Sequence, residues 1–331
     1  MTKGVLFFSC VAIVLVSLGA SGAWSLHVYA ATVPEGISSV LGTSTDSNIT
    51  KSTQLPELTK LPVVAPGLLP QINSKEYALY NPDSGRFIVT SKAMSPVPIA
   101  STTKLMTDLL VTKFGKLDDI VATPEEAATI EGSVMHLQTG DTLTVQNLLY
   151  GSLTVSANDA TRTLAGYIGG ILLHNPNAPL QDRLARFVVE MNATATKLHM
   201  ENTHYIEPVG LEDGTQSTAM DLAKLLAIDN QVPILKTIFG TSSTTVTDVT
   251  GKKTYQLTNT NQLETTLAYP GNTGGKTGYT PAAGRCLVDG ATRNGVQYIA
   301  VVLNTTDTAL DANAIEARKL LDYAFTNVTW R

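Results

Sequence analysis

The chain has 331 residues, 43% hydrophobic and 15% charged, with a formal net charge of −5. That length allows one large domain or two modest ones with a substantial core. The acidic balance leaves no basic stripe to neutralise phosphates, which argues against a nucleic-acid partner. Two cysteines, Cys10 and Cys286, are too few for a disulfide framework and lack the paired spacing of a metal cluster. The five histidines, His27, His136, His174, His199 and His204, show no ligand spacing either, so no cofactor or metal is expected.

Residues 1–30 open with Lys3, followed by an apolar, small-residue run and Val28-Tyr29-Ala30-Ala31. A positive start, an apolar stretch and a small-x-small site make an export signal, and the run approaches bilayer-spanning length. The expectation is a signal peptide or N-terminal membrane anchor, with the remainder extracytoplasmic. Residues 31–74 turn rich in Ser, Thr, Pro and Gly without helical period, and are expected to form a flexible linker. A catalytic domain is expected over residues 75–331.

Glu76–Tyr80 and Arg86–Thr90 are β-favouring runs separated by Asn81-Pro82-Asp83-Ser84-Gly85, a hairpin pattern. A mostly helical section follows from Thr102 to Leu226, clearest over Lys104–Lys113, Val145–Ser152, Asp159–Ile168, Leu180–Leu198 and Thr218–Ala227. Thr123-Pro124-Glu125-Glu126 carries a helix-start pattern. Strand-like runs return at Thr244–Val249, Lys253–Leu257, Arg285–Asp289 and Val296–Asn304, and an amphipathic helix over Asp311–Phe325 closes the chain. Strands, then helices, then strands and a helix is an α+β order.

Three short motifs carry chemistry. In Ser101-Thr102-Thr103-Lys104, a Ser at a helix start and a Lys three residues on share one face. A lysine partly desolvated near another cation loses its proton and can then take that of the serine. In Ser156-Ala157-Asn158, set on a turn between helices, the Ser can relay a proton and the Asn can bond substrate backbone and Lys104. In Lys276-Thr277-Gly278, the Gly lets substrate pair closely along a strand, while Lys276 and Thr277 suit a terminal carboxylate. Taken singly, each is ordinary helix-cap, turn or hairpin sequence. Each occurs once, in this order and in a suitable context.

Together the three resemble the motifs of penicillin-binding proteins and class A β-lactamases. Ile99–Thr107, Leu148–Ala160, Asn202–Tyr205 with Pro208–Leu211 and Ser217–Ala223, and Lys276–Thr280 with Ala283-Gly284 are similar to the low-molecular-mass D-alanyl-D-alanine carboxypeptidases, over about Tyr77 to Phe325. The resemblance implies a β-lactamase/transpeptidase-like fold, an antiparallel sheet of N- and C-terminal strands packed with a helical middle. It implies that Ser101 is acylated, Lys104 is the base and Ser156 passes the proton to the departing D-Ala. Asn158 would orient the substrate, Lys276, Thr277 and Gly278 would bind it, and the N–H groups of Ser101 and Tyr279 would form an oxyanion hole. The implied partners are a peptidoglycan pentapeptide ending in D-Ala-D-Ala, β-lactams as inhibitors, and a membrane through the N-terminal segment.

Three departures from the family pattern stand out. Asp307–Asn313 lacks the Arg that the family usually places before its last helix, Asp311 or Asn313 standing nearest. Thr215-Gln216 replace a common His-Tyr, and Ile171–Asp182 looks inserted. An endopeptidase or transpeptidase on the same scaffold is the nearest alternative. A class A-like β-lactamase would need a deacylating Glu, for which Glu190 lies at about the right distance but in a helical pattern. An inactive penicillin-binding sensor would not need both Lys104 and Ser156.

Overall fold

The computed structural model of the chain describes residues 62–64 and 69–330; the 1–30 segment and most of the 31–74 linker lie outside them. Five strands make the main sheet: β1 (Ser74–Asn81), β2 (Arg86–Ser91), β3 (Asn272–Thr280), β4 (Gly284–Arg293) and β5 (Val296–Thr305). Their order is β3-β4-β5-β1-β2, antiparallel throughout, so N- and C-terminal strands share one sheet as expected. The β1–β2 hairpin closes where anticipated. Asn81 Oδ1 accepts the Ser84 N–H at 2.9 Å, and Gly85 takes a φ of 66°, a left-handed conformation that costs glycine little.

Both faces of this sheet are covered. Strand alternation turns Ala78, Val288, Ile299, Val301 and Leu303 towards the helical region, and Leu79, Leu287, Ala300 and Val302 towards the last helix. The helices are α1 (Lys104–Phe114), α2 (Val145–Thr154), α3 (Asn158–Leu172), α4 (Leu180–Lys197), α5 (Ala219–Asp229), α6 (Pro233–Phe239) and α7 (Ala312–Asn327). The first six gather on one face around Leu105, Met106, Leu148, Leu164 and Leu222, all fully buried. On the other face α7 packs Ala314, Ala317, Leu320 and Leu321 against the sheet. Among the described residues no helix is long and apolar enough to cross a membrane.

Several expectations change. Ser243–Thr247 and Thr254–Thr258 pair with each other as a separate two-stranded ribbon. The helix start at Thr123-Pro124 leads to one turn only, Glu125–Ala128, without a side-chain cap. The stretch Leu61–Pro66, read as spacer, contributes a strand: Pro62–Val64 pairs antiparallel with Val328–Trp330. Further on, Asn73 N–H donates to Glu316 Oε2 at 2.7 Å and Lys319 Nζ to Gln71 O at 3.2 Å, tying the last part of the linker to α7. Backbone pairing of this kind needs no side-chain pattern, which is why composition does not reveal it.

Candidate active site

The turn that carries Ser101 lies where β3, α1 and a loop over Glu207–Leu211 converge. Ser101 is not the cap of α1 but part of a 3₁₀ turn, Ala100–Thr103, that runs into it. Ala100 holds a φ of 47°, uncommon for a residue with a Cβ, so the turn is locally strained. Two glycines permit its close packing. A Cβ on Gly278 would stand 2.9 Å from Ile99 O and 3.1 Å from Ser101 N, while one on Gly210 (φ 91°) would stand 2.0 Å from Ala100 O. The turn is therefore clamped between the β3 edge and the 207–211 loop.

Lys104 is fully buried, its amine pointing inward beneath Ser101. Its Nζ donates to Ser101 Oγ at 2.8 Å, Asn158 Oδ1 at 2.9 Å and Val209 O at 2.8 Å. Burial lowers its proton affinity from 10.5 to about 7, against the carboxylates of Glu207, Asp108 and Asp159, which pull it back up. At neutral pH a large fraction of this amine is uncharged and can accept a proton. Asn158, the first residue of α3, is fixed in turn: its Nδ2 donates to Glu131 O at 2.7 Å, and its backbone N–H to Ser133 O at 2.7 Å.

Ser156 lies between α2 and α3 with a φ of 60° and is almost wholly buried. Among the described residues its hydroxyl makes no hydrogen bond to the protein. Lys276 stands on β3 and is fully buried, with Nζ donating to Thr277 O at 3.0 Å. Burial, and then the charge of Lys104, push its amine well below the usual lysine range, with Asp108 opposing. Asp108, one turn along α1, is buried and accepts from Ser152 Oγ at 2.7 Å; burial raises its carboxyl to about 7, restrained by that bond and by Lys104 and Lys276. Thr277 Oγ1 meets Thr260 Oγ1 at 2.6 Å, and Tyr279 is 60% exposed at the edge of the sheet.

Glu207, Val209 and Gly210 carry no motif signal of their own, although Val209 and Gly210 fall within the Pro208–Leu211 segment of the resemblance. The Glu207 carboxylate accepts the N–H groups of Val209 at 2.7 Å, Leu211 at 3.0 Å and Gly210, which turns the Val209 carbonyl towards Lys104. Of the departures, Thr215 Oγ1 accepts the Ile206 N–H at 3.1 Å, and Gln216 pairs its backbone with His204. Ile171–Asp182 comprises the end of α3, a turn and the start of α4.

A hydroxyl beside a buried, deprotonable amine, at the edge of a strand able to accept one more, is machinery for acyl transfer. The family profile described as D-alanyl-D-alanine carboxypeptidase matches residues 63–307. The chain belongs to that family. It is 33% identical over 258 residues to the D-alanyl-D-alanine carboxypeptidase DacF of Bacillus subtilis, a match covering 76% of this chain and 62% of that one. It is 34% identical over 225 residues to the D-alanyl-D-alanine endopeptidase of Pseudomonas aeruginosa, covering 67% and 68%. The crystal structure of the Streptomyces K15 DD-transpeptidase superposes with a TM-score of 0.71 at 31% identity, covering 78% of this chain and 99% of that one. The β-lactamase/transpeptidase-like α+β fold is thereby established.

Proposed function

We propose that the protein is a serine-type D-alanyl-D-alanine carboxypeptidase that trims peptidoglycan stem peptides outside the cell membrane and is inhibited by β-lactams. The observation that carries this reading is the 2.8 Å contact between a buried, readily deprotonated Lys104 amine and the Ser101 hydroxyl. The neutral amine takes the hydroxyl proton as Ser101 Oγ attacks the penultimate D-Ala carbonyl. The N–H groups of Ser101 and Tyr279 receive the oxyanion. The proton passes through Ser156 to the terminal amine, the C–N bond breaks and D-Ala leaves. Water then enters, gives its proton back through the same groups and hydrolyses the ester. Asn158 holds both Lys104 and the substrate backbone, which lies along Lys276-Thr277-Gly278 as an added strand. Residues 1–30 act as signal or anchor, and the linker that follows carries the catalytic domain away from the membrane.

Two relatives named for endopeptidase and transpeptidase activity support a second reading, in which a different amine leaves or a different acceptor replaces water. The β-lactamase reading loses its base. Glu190 lies within the unbroken helix α4, bonded to Arg186 at 3.2 Å. The test is mass spectrometry of muropeptides incubated with the enzyme. Loss of one D-Ala from pentapeptides, absent in Ser101→Ala, is expected. Cleavage of cross-links with pentapeptides left intact would replace the carboxypeptidase reading with the endopeptidase one.

A further inference from the structure

Asn158 meets Lys104 through Oδ1 at 2.9 Å, and the contact holds only while the amide keeps that orientation. A side-chain amide carries its acceptor and its donors on opposite sides, so a half-turn would aim Nδ2 at the amine. Two carbonyls set the orientation: Glu131 O takes Nδ2 at 2.7 Å, and Ser133 O takes the Asn158 N–H at 2.7 Å. Gly132 between them (φ 90°) lies against the same amide, where a Cβ would stand 2.7 Å from Nδ2.

The segment that supplies these carbonyls has little to hold it in place by itself. Residues 131–137 form no helix or strand, and Glu131, Gly132 and Ser133 are exposed. Among the described residues the bond from Asn158 is the segment's one backbone–backbone hydrogen bond. Asp159, the next residue of α3, supplies the rest. Its Oδ1 accepts the Met135 N–H at 3.1 Å and its Oδ2 the Leu137 N–H at 2.9 Å, with Oδ1 also taking the Ala160 N–H at 2.9 Å. The side chain is fully buried and no cation pairs with it among the described residues, so its charge is met by backbone N–H groups. Such charge-assisted bonds are about twice as strong as neutral ones, enough to pin an irregular loop. Neighbouring residues of one helix turn therefore divide the work: Asn158 faces the amine, and Asp159 grips the loop that aims Asn158.

We propose that Asp159 is a positioning residue for acyl transfer: by anchoring Met135 and Leu137 it holds Glu131 O and Ser133 O against Asn158, and so keeps Asn158 Oδ1 on Lys104. This rests on the acyl-transfer reading of the site. The test is a double-mutant cycle on the full-length protein, with wild type, Asp159→Asn, Asn158→Ala and the pair, read as acylation by fluorescent penicillin at pH 9. That pH lies above the Lys104 titration, so removing the Asp159 charge, which pulls Lys104 up, leaves the uncharged fraction essentially unchanged there. Asp159→Asn keeps the size of the side chain but sets an NH2 group against one of the two loop N–H groups. It should slow acylation about 10- to 100-fold, the cost of a displaced group beside the reacting atoms. In the Asn158→Ala protein it should add less than about threefold, because no amide is left to displace. Long incubations keep slow variants measurable, and melting curves check that each is folded. If Asp159→Asn does not fold, Gly132→Ala takes its place in the cycle, since its methyl group presses on Asn158 Nδ2 from the same loop. Losses that multiply in the double variant, or an Asp159→Asn protein as fast as wild type, overturn the role of Asp159. A crystal structure of Asp159→Asn with Asn158 Oδ1 still on Lys104 does the same. A wild-type protein that takes no label overturns the acyl-transfer reading, and the proposal with it.

Discussion

The proton affinity of Lys104 can be tested through the pH dependence of acylation. An amine titrating at 10.5 is uncharged in roughly one molecule in three thousand at pH 7, whereas one lowered to about 7 is uncharged in about half. Burial therefore raises the competent fraction about a thousandfold. With stopped-flow labelling by a fluorescent penicillin, the acylation rate should fall about tenfold per pH unit below pH 7 and level off above it. The charge on Asp108 pulls Lys104 upward, so Asp108→Asn should move this limb to lower pH. Lys104→Arg, which cannot act as a base at any accessible pH, should show no limb because acylation is lost. A wild-type rate that stays flat down to pH 5, or a limb that moves upward in Asp108→Asn, would refute the assignment of Lys104 as the base.

Gly278→Ala would place a methyl group 2.9 Å from Ile99 O, 3.1 Å from Ser101 N and 3.2 Å from Ala100 Cβ, and two of these are backbone atoms. Acylation should drop by about tenfold or more as the nucleophile shifts, with about 1–3 kcal/mol of stability lost, both read from labelling kinetics and urea melts. Lys104 also links folding to pH. Its folded proton affinity lies below the unfolded one, so the unfolded chain binds more protons between about 7 and 10.5, and stability rises with pH there. Between pH 7 and pH 9 wild type should gain about 2 kcal/mol relative to Lys104→Met in urea unfolding; a constant difference would contradict the buried, titrating amine. Glu207→Gln weakens the acceptor for three N–H groups that aim Val209 O at Lys104, and should lower both the melting temperature and the acylation rate.

Much of the site was legible because its chemistry is local. Ser101 and Lys104 are three residues apart, and Ser156 with Asn158 marks a break between helices that strand and helix periodicity already locates. What the sequence hid was long-range or carried by backbone. The Val209 carbonyl reaches Lys104 across 105 residues and bears no side-chain signature. The depth at which Lys276 lies is long-range in the same way, since Gly274-Gly275 before it let β3 pack tightly: a Cβ on Gly274 would lie 2.1 Å from Phe239 O. The strand at Pro62–Val64 escaped notice for a similar reason, since its partner lies at the far end of the chain.

The central claim is that Ser101 forms the acyl-enzyme by giving its proton to Lys104. Intact-protein mass spectrometry after brief incubation with benzylpenicillin, followed by peptide mapping, tests it directly. One adduct is expected, on the peptide carrying Ser101, absent in Ser101→Ala and strongly reduced in Lys104→Arg. An adduct on another residue, or full labelling of Lys104→Arg at the wild-type rate, would contradict it.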